Sequence, residues 1–307
     1  MNKDSSILVT GANGMVGKYL QDALRNEGYT NVNLAIREEY DLRDPCDAKN
    51  LFFLTNPEYV FHVAAKVGGI MWNKTCPADF IRDNILMNTN VIEAARKYKT
   101  KKLLFCGSAG VYPKDCLQPM KEEYIMTGKF EEVSQYYGFS KLAGILMCQA
   151  YRKQYGCNFI SCLPTNLYGM YDKFDIVKSH AVPSIIRKFY EANRGESIVI
   201  NGTGESKREF LYAGDLANAM IFLMNCYDSP DPINIGGTNL SIKELIEIVK
   251  NVSGYEKNVV WNTDFPEGIK ERCLDSSKIK MLGWEQKTSI EEGLKITYDW
   301  YVRNNNI

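Results

Sequence analysis

The sequence predicts an α/β fold, a doubly wound parallel sheet followed by a smaller C-terminal lobe. Three observations lead there. Short apolar runs alternate with segments of helical spacing through the first half of the chain, the pattern of βαβ units. A glycine-rich turn joins the first run to the first helix. After Gly169 the alternation loses its regularity, as expected where the parallel sheet gives way to a separate lobe.

Residues 6–10 form the first apolar run. Residues 15–27 carry Val16, Leu20 and Leu24 at helical spacing. Strands are expected over 32–36, 59–63, 102–106 and 158–163, with helices over 49–54, 78–97 and 135–155 between them. Crossovers of this kind are right-handed. Beyond residue 169 the pattern predicts a helix over 180–193, a strand over 198–200, a polar loop over 201–207 and a helix over 214–225. A helix over 241–252, a strand over 259–261 and a last helix over 290–302 complete the chain. The dinucleotide-binding part is expected over 1–167 and about 209–238, and the second lobe over about 168–208 and 239–307.

The totals narrow the function. The 307 residues hold 37 basic and 37 acidic side chains, so the chain lacks the net charge that nucleic acid or an anionic membrane surface would attract. Its N-terminus has no apolar signal core, and no apolar run approaches the ~20 residues of a membrane span. A cytoplasmic protein is expected. Nine cysteines are scattered without a CxxC pair. A zinc or thioredoxin-type site is therefore not expected, nor any other metal, and most of the thiols should be buried and reduced.

The turn Thr10-Gly11-Ala12-Asn13-Gly14-Met15-Val16-Gly17 lies between the first strand and the first helix. Glycines there allow a tight turn and close backbone approach, while the helix N-terminus attracts a pyrophosphate. This is a Rossmann-type dinucleotide site in its expected context. The second strand runs into Arg37, where NAD enzymes usually place an acid for the ribose hydroxyls. An arginine suits the 2′-phosphate of NADP, so NADPH is the expected cofactor. Asp41 and Asp44 follow near the adenine side.

Tyr137 and Lys141 stand one turn apart at the start of the long helix, on one face. A nearby ammonium favours a phenolate and so lowers a tyrosine pKa. The pair then serves as proton donor and acceptor. Ser108 follows the fourth strand and completes a Ser-Tyr-Lys set.

With these residues the chain resembles the extended short-chain dehydrogenase/reductases, and within them the GDP-L-fucose synthases, the 3,5-epimerase/4-reductases of GDP-4-keto-6-deoxymannose. The resemblance runs through HVAAKVGGIMWN (62–73), NILMNTNVIEAA (84–95), FCGSAGVYP (105–113), LPTNLYG (163–169), KSHAVPSIIRKF (178–189) and REFLY (208–212). It implies that Ser108, Tyr137 and Lys141 are the reductive triad, and that His180 is a catalytic histidine near the sugar and cofactor. It places the cofactor against Gly11, Asn13, Gly14, Met15, Val16, Gly17, Arg37, Asp41, Ala64, Lys141, Pro164, Asn166, Leu167 and His180. For the substrate it implies Ser108, Tyr137, Asn166, Lys188, Asn201, Arg208 and Arg272, with Arg208 on the diphosphate. It also implies a homodimer built on the helices that begin near Ala78 and Gln135.

Three positions depart from that pattern. Similar enzymes carry a cysteine two residues after the serine, the base that epimerises the carbons beside the ketone; here the residue is Gly110. A tryptophan position is Asn201 and an arginine position is Lys188. The expected function is therefore NADPH-dependent reduction of the C4 ketone of a GDP-linked 6-deoxyhexose or heptose without 3,5-epimerisation. A separate 3- or 5-epimerase would act upstream. Alternatives are the bifunctional synthase and a nucleotide-sugar 4-epimerase or 4-dehydrogenase with bound NAD, since SAGVYP is also similar to the UDP-sugar 4-epimerases. A 4,6-dehydratase would need an Asp-Glu pair where Ala109-Gly110 stands. A cofactor-sensing regulator would not be expected to keep the Tyr-Lys pair.

Overall fold

A computed structural model of the chain describes residues 1–175, 179–192, 198–264 and 269–305. Strand β1 (Ile7–Thr10) enters the glycine turn and helix α1 (Met15–Asn26), followed by β2 (Val32–Ala35), α2 (Pro45–Thr55) and β3 (Tyr59–His62). Then come α3 (Ile70–Thr75), α4 (Pro77–Lys97), β4 (Lys102–Cys106), α5 (Gln135–Tyr155) and β5 (Phe159–Pro164). The chain continues through β6 (Asn166–Tyr168), α6 (Ala181–Ala192), β7 (Val199–Asn201), β8 (Lys207–Tyr212), α7 (Ala213–Cys226) and β9 (Ile233–Ile235). It ends with β10 (Thr238–Ser241), α8 (Ile242–Ser253), β11 (Val260–Asn262), β12 (Glu271–Arg272), α9 (Ser277–Met281) and α10 (Ile290–Asn305).

Six strands form one parallel sheet in the order β2-β1-β3-β4-β5-β9. Because both faces are covered, its strands read as apolar runs rather than alternating ones. On one face α1 contributes Leu20 and Leu24 and α7 contributes Leu216 and Met220. On the other, α2 contributes Leu51 and Phe52, α4 Val91 and Ile92, and α5 Leu142 and Ile145. The order reverses beside β1, so the crevice at the strands' C-terminal ends opens there, where a doubly wound sheet takes its ligand.

Of the stretch 209–238, α7 packs on α1 and β9 completes the large sheet. Strand β8 instead belongs to a smaller sheet, paired with β6, β10 and β12. Lys102 of β4 closes the C-terminus of α7: its buried ammonium donates to the carbonyls of Leu223, Met224 and Tyr227 at 3.2, 2.8 and 2.6 Å.

Several expectations need correction. Helix α2 starts at Pro45, not at 49, because Asp44 caps it by accepting from Cys46 N at 2.7 Å and proline suits the first helical position. Helices α3 and α9 and strands β6, β8, β9, β10 and β12 are additional to the expected elements; each is too short or too polar to give a periodic signal. Only three of the nine free cysteines, Cys106, Cys148 and Cys162, are buried, whereas Cys46 and Cys226 are exposed. Residues 178 and 193, expected in a motif and a helix end, lie outside the described residues. No described helix is long and apolar enough to cross a membrane.

Candidate active site

The glycine turn forms a cradle. Gly11 takes φ +67°, and a Cβ on it would stand 2.7 Å from Ala64 Cα, so Ala64 is the floor on which the turn rests. Gly14 leads into α1 without a side-chain cap, and the first turn of α1 holds no acidic residue. The leading amides of Met15 and Val16 are thus left for an anion, with the helix dipole behind them. These features fit a dinucleotide pyrophosphate.

Arg37 stands two residues past β2 and is exposed. Next to it Glu38 accepts from the Asn13 side chain at 3.4 Å, across the mouth of the turn. This acid stands three residues beyond the strand rather than at its end, so its position gives no sequence signal. Asp41 is held by the Arg43 guanidinium, which keeps its carboxyl down at about 2, with Arg37 adding to the effect. Asp41 is therefore engaged within the protein, and Arg43 is the neighbour that sequence alone did not single out.

The Ser-Tyr-Lys set assembles at the end of β4. Ser108 opens a single 3-10 turn over Ala109–Val111 and accepts from Gly110 N at 3.0 Å. Its hydroxyl faces the Tyr137 phenol closely enough to act on its pKa. Gly138 makes this approach feasible, because a Cβ there would run into Gly110 O. Burial first, and the Cys106 thiol second, raise the Tyr137 pKa above its ordinary value; the Ser108 hydroxyl works the other way. The expected lowering by Lys141 is absent in this state. The Lys141 ammonium, itself lowered by burial, donates to Cys106 O at 2.7 Å and does not reach toward the phenol. Tyr137 is accordingly a proton-bearing phenol at neutral pH.

A buried chain connects this set to the cradle. Ala64 N donates to Thr10 Oγ1 at 3.2 Å, and Thr10 Oγ1 meets His62 Nδ1 at 2.8 Å. His62 Nε2 meets Asn88 Oδ1 at 3.2 Å, and Asn88 Nδ2 donates to Ser140 O at 3.0 Å. Ser140 precedes Lys141. With Asn88 Oδ1 only able to accept, His62 carries its proton on Nε2 and accepts from Thr10. Burial drives the His62 pKa down to about 3, helped by the charge of Lys141.

The GGIMWN segment also acquires a place. Trp72 packs edge-on against Phe80, and Phe80 edge-on against Tyr137. Lys173 lies over the Trp72 ring at 5.2 Å. His180 immediately precedes α6 on this side; much of its surface is open, yet crowding by protein atoms and then Lys173 lower its pKa. Among the described contacts His180 does not meet Ser108 or Tyr137.

Arg208 and Arg272 are direct partners on the parallel strands β8 and β12. Arg272 Nη2 donates to Ala109 O and Tyr112 O, both at 3.3 Å, which fixes it against the Ser108 turn. Burial and then Arg272 lower the Arg208 pKa. Burial lowers that of Arg272, against Glu131 and Cys116. Among the described residues neither guanidinium is paired with a carboxylate. Two half-buried cations side by side could hold an anion. Lys188 reaches Val199 O at 3.1 Å, two residues from Asn201, so the two departing positions lie together, apart from the triad. Asn166 donates to Glu209 O at 2.9 Å beside buried Pro164, and Leu167 follows on β6. Among the described residues no cluster of His, Cys, Asp or Glu could hold a metal ion.

The family model described as the NAD dependent epimerase/dehydratase family matches residues 7–236. A GDP-L-fucose synthase of Arabidopsis thaliana is 44% identical over 99% of this chain and 95% of its own length. A GDP-6-OMe-4-keto-L-xylo-heptose reductase from C. jejuni is 34% identical, with a TM-score of 0.91 over 99% of each chain. A GDP-mannoheptose C4 reductase from Campylobacter jejuni with NADP bound is 36% identical, with a TM-score of 0.89 over 98% of this chain and 99% of its own. The resemblance carried by the GGIMWN and SHAVP segments is borne out. By sequence over three quarters of its length and by shape over nearly all of it, the chain belongs to the NAD dependent epimerase/dehydratase family, within the extended short-chain dehydrogenase/reductases.

Proposed function

We propose that this protein is an NADPH-dependent reductase of the C4 ketone of a GDP-linked sugar, of the 6-deoxyhexose or heptose type, that does not epimerise C3 or C5. The observation that carries the reading is the residue beside the Ser108–Tyr137 pair: Gly110, whose absent Cβ would lie 3.3 Å from Ser108 Oγ and 3.7 Å from Tyr137 Cδ1. A reductive proton donor is present, and the adjoining position has no proton-transfer group.

The cradle of Gly11, Gly14, Met15 and Val16 would hold the pyrophosphate, Arg37 the 2′-phosphate, and Lys141 the nicotinamide ribose. When bound, NADPH supplies the hydride for C4. Tyr137 gives its phenolic proton to the oxygen at C4 as negative charge develops there. Ser108 donates a hydrogen bond to the same oxygen and orients Tyr137. Burial holds the phenol protonated, which suits the reductive direction. Arg208 and Arg272 neutralise the sugar-nucleotide diphosphate. The names of these three relatives, each on a GDP-linked sugar, support the nucleotide. We assign the nucleotide-binding part to 1–167 and about 209–238, place the protein in the cytoplasm, and expect a separate 3- or 5-epimerase to prepare its substrate.

Incubation with a GDP-4-keto sugar in D₂O without reductant tests the reading. Deuterium uptake at C3 and C5 is expected to match the enzyme-free control, while added NADPH is consumed. Fast uptake would establish the bifunctional synthase instead, and no NADPH consumption would remove the reductase assignment.

A further inference from the structure

Two thiols that the reaction does not use lie beneath the candidate active site. Cys106 ends β4, and its direct Cα partner in the parallel register is Cys162 of β5. In-register partners on neighbouring strands point to the same face, and a strand spacing of about 4.7–4.9 Å falls within the ~4.4–6.8 Å that disulfide Cα atoms span. The two thiols lie close enough for each to act on the other's pKa. Cys162 is fully buried, and Cys106 keeps 7% of its surface open. The Lys141 ammonium binds the Cys106 carbonyl at 2.7 Å, so a positive charge stands beside the pair. The Cys162 thiol first, and Lys141 as well, lower the Cys106 pKa against the effect of burial. The exposed Cys46 and Cys226 have no such arrangement.

We propose that Cys106 and Cys162 are an oxidisable dithiol, which a hydroperoxide converts into a disulfide that reversibly shuts the active site. The Cys106 thiolate attacks the O–O bond, which breaks; one oxygen stays on Sγ as a sulfenic acid, and the other leaves as water or an alcohol after taking the thiol proton. Cys162 Sγ then displaces the sulfenic hydroxyl, which leaves as water with the Cys162 proton. Two thiols lose two electrons to one peroxide. The bridge acts on catalysis because the same peptide units hold the site: Cys106 O anchors Lys141, Gly107 N donates to Cys162 O at 2.8 Å, and Ser108 is next in the chain. The Cα spacing admits the bond, but parallel Cβ vectors at that spacing stand wider than the ~3.5–4.5 Å a disulfide takes, so closing it shifts the end of β4. A displacement of ~1 Å at a reacting group costs about 10²-fold in rate. A bridge formed under such strain is the easily reduced, regulatory kind.

The experiment takes the reduced full-length protein through a hydrogen peroxide titration. Samples are alkylated, digested and mapped by mass, and NADPH turnover with a GDP-4-keto sugar is followed in parallel. A peptide linking Cys106 to Cys162, lighter than the two thiol peptides by two hydrogens, is expected to rise as turnover falls about tenfold to a hundredfold. Dithiothreitol should reverse both. Cys162→Ala should keep turnover before peroxide, form no linked peptide and lose the reversible part of the inactivation. Alkylation at both cysteines after turnover is lost would overturn the proposal, as would a linked peptide with turnover intact. Should the variant fail to fold, the wild-type map alone decides. The turnover arm rests on the reductase reading, but the linked peptide needs no substrate, so the two can fail separately.

Discussion

Position 110 is where one side chain separates two chemistries. The ketone at C4 acidifies the hydrogens on C3 and C5, so epimerisation needs a base there, and losing a general base typically costs ~10²- to 10⁴-fold. Restoring one needs a small adjustment: a Cβ at 110 would stand 3.3 Å from Ser108 Oγ, so that hydroxyl must give by a few tenths of an ångström. Gly110→Cys is expected to raise deuterium uptake at C3 or C5 in D₂O at least tenfold over wild type, with reduction largely kept; an unchanged rate would show that the missing base is not at 110. The cofactor end turns on two neighbours of opposite charge. Arg37 favours a 2′-phosphate, whereas Glu38, held to Asn13 at the cradle mouth, opposes it. Charge-assisted hydrogen bonds to a phosphate contribute about 1.5–3 kcal/mol, so Arg37→Asp should raise KM for NADPH roughly tenfold to a hundredfold. Glu38→Gln should move the NADPH/NADH ratio of kcat/KM the other way by about two- to fivefold, the size of an exposed charge pair. Equal use of both cofactors by the wild type would remove the assignment of Arg37. Tyr137, Lys141, Ser108 and the glycines were legible in the sequence because their chemistry sits at fixed local spacing. Glu38 and the juxtaposition of Arg208 with Arg272 were not, since one depends on a turn and the other on strands about sixty residues apart.

At the scale of elements, the catalytic helix α5 is registered against the sheet by the buried chain Thr10–His62–Asn88–Ser140. The segments containing His62 and Asn88 carried the family resemblance, but nothing in their spacing shows that they meet. Helix α5 itself was legible to the residue, because a long segment without proline ends at Gly156 in the left-handed conformation. Strand β8 was not, since its Lys207-Arg208-Glu209 start looks like a polar loop until β6, β10 and β12 pair with it. The chain through His62 has a consequence for pH. Burial lowers the His62 pKa from 6.5 to about 3, so between those values the unfolded chain binds a proton that the folded one refuses. The contribution of neutral His62 is fully present above pH 6.5 and is lost as pH falls toward 3, at up to about 1.4 kcal/mol per pH unit. His62→Leu should cost about 1–3 kcal/mol at pH 7 by leaving the Thr10 hydroxyl proton and Asn88 Oδ1 without a partner. It should also flatten the fall in stability between pH 6.5 and 4.5. Urea unfolding of both proteins across that range checks this; parallel curves would mean that His62 is not held neutral in the fold.

For the molecule as a whole, the two lobes place unlike demands on the chain. The large sheet hides both faces under helices, and the smaller sheet brings Arg208 and Arg272 to the crevice beside the Ser108 turn. One apolar surface among the described residues runs along two helices. Helices α4 and α5 lie against each other, and their outer side exposes Leu86 together with Tyr136, Phe139 and Leu146, which are 43%, 48% and 40% exposed along one stripe of α5. Positions 136, 139 and 146 recur at helical spacing, so they form a continuous apolar stripe rather than scattered surface residues. A symmetric pairing of α4 and α5 with the same helices of a second copy would bury this stripe in a four-helix contact. Because Tyr137 and Lys141 sit on the inner side of α5, such a dimer would also hold the catalytic helix from outside. We expect the wild type to sediment as a dimer at micromolar concentration. The double change Phe139→Glu and Leu146→Glu places four like charges in the contact and should give a monomer. Sedimentation velocity separates the outcomes: a wild type that runs as a monomer, or a double variant that still pairs, would place the interface elsewhere or nowhere on this face.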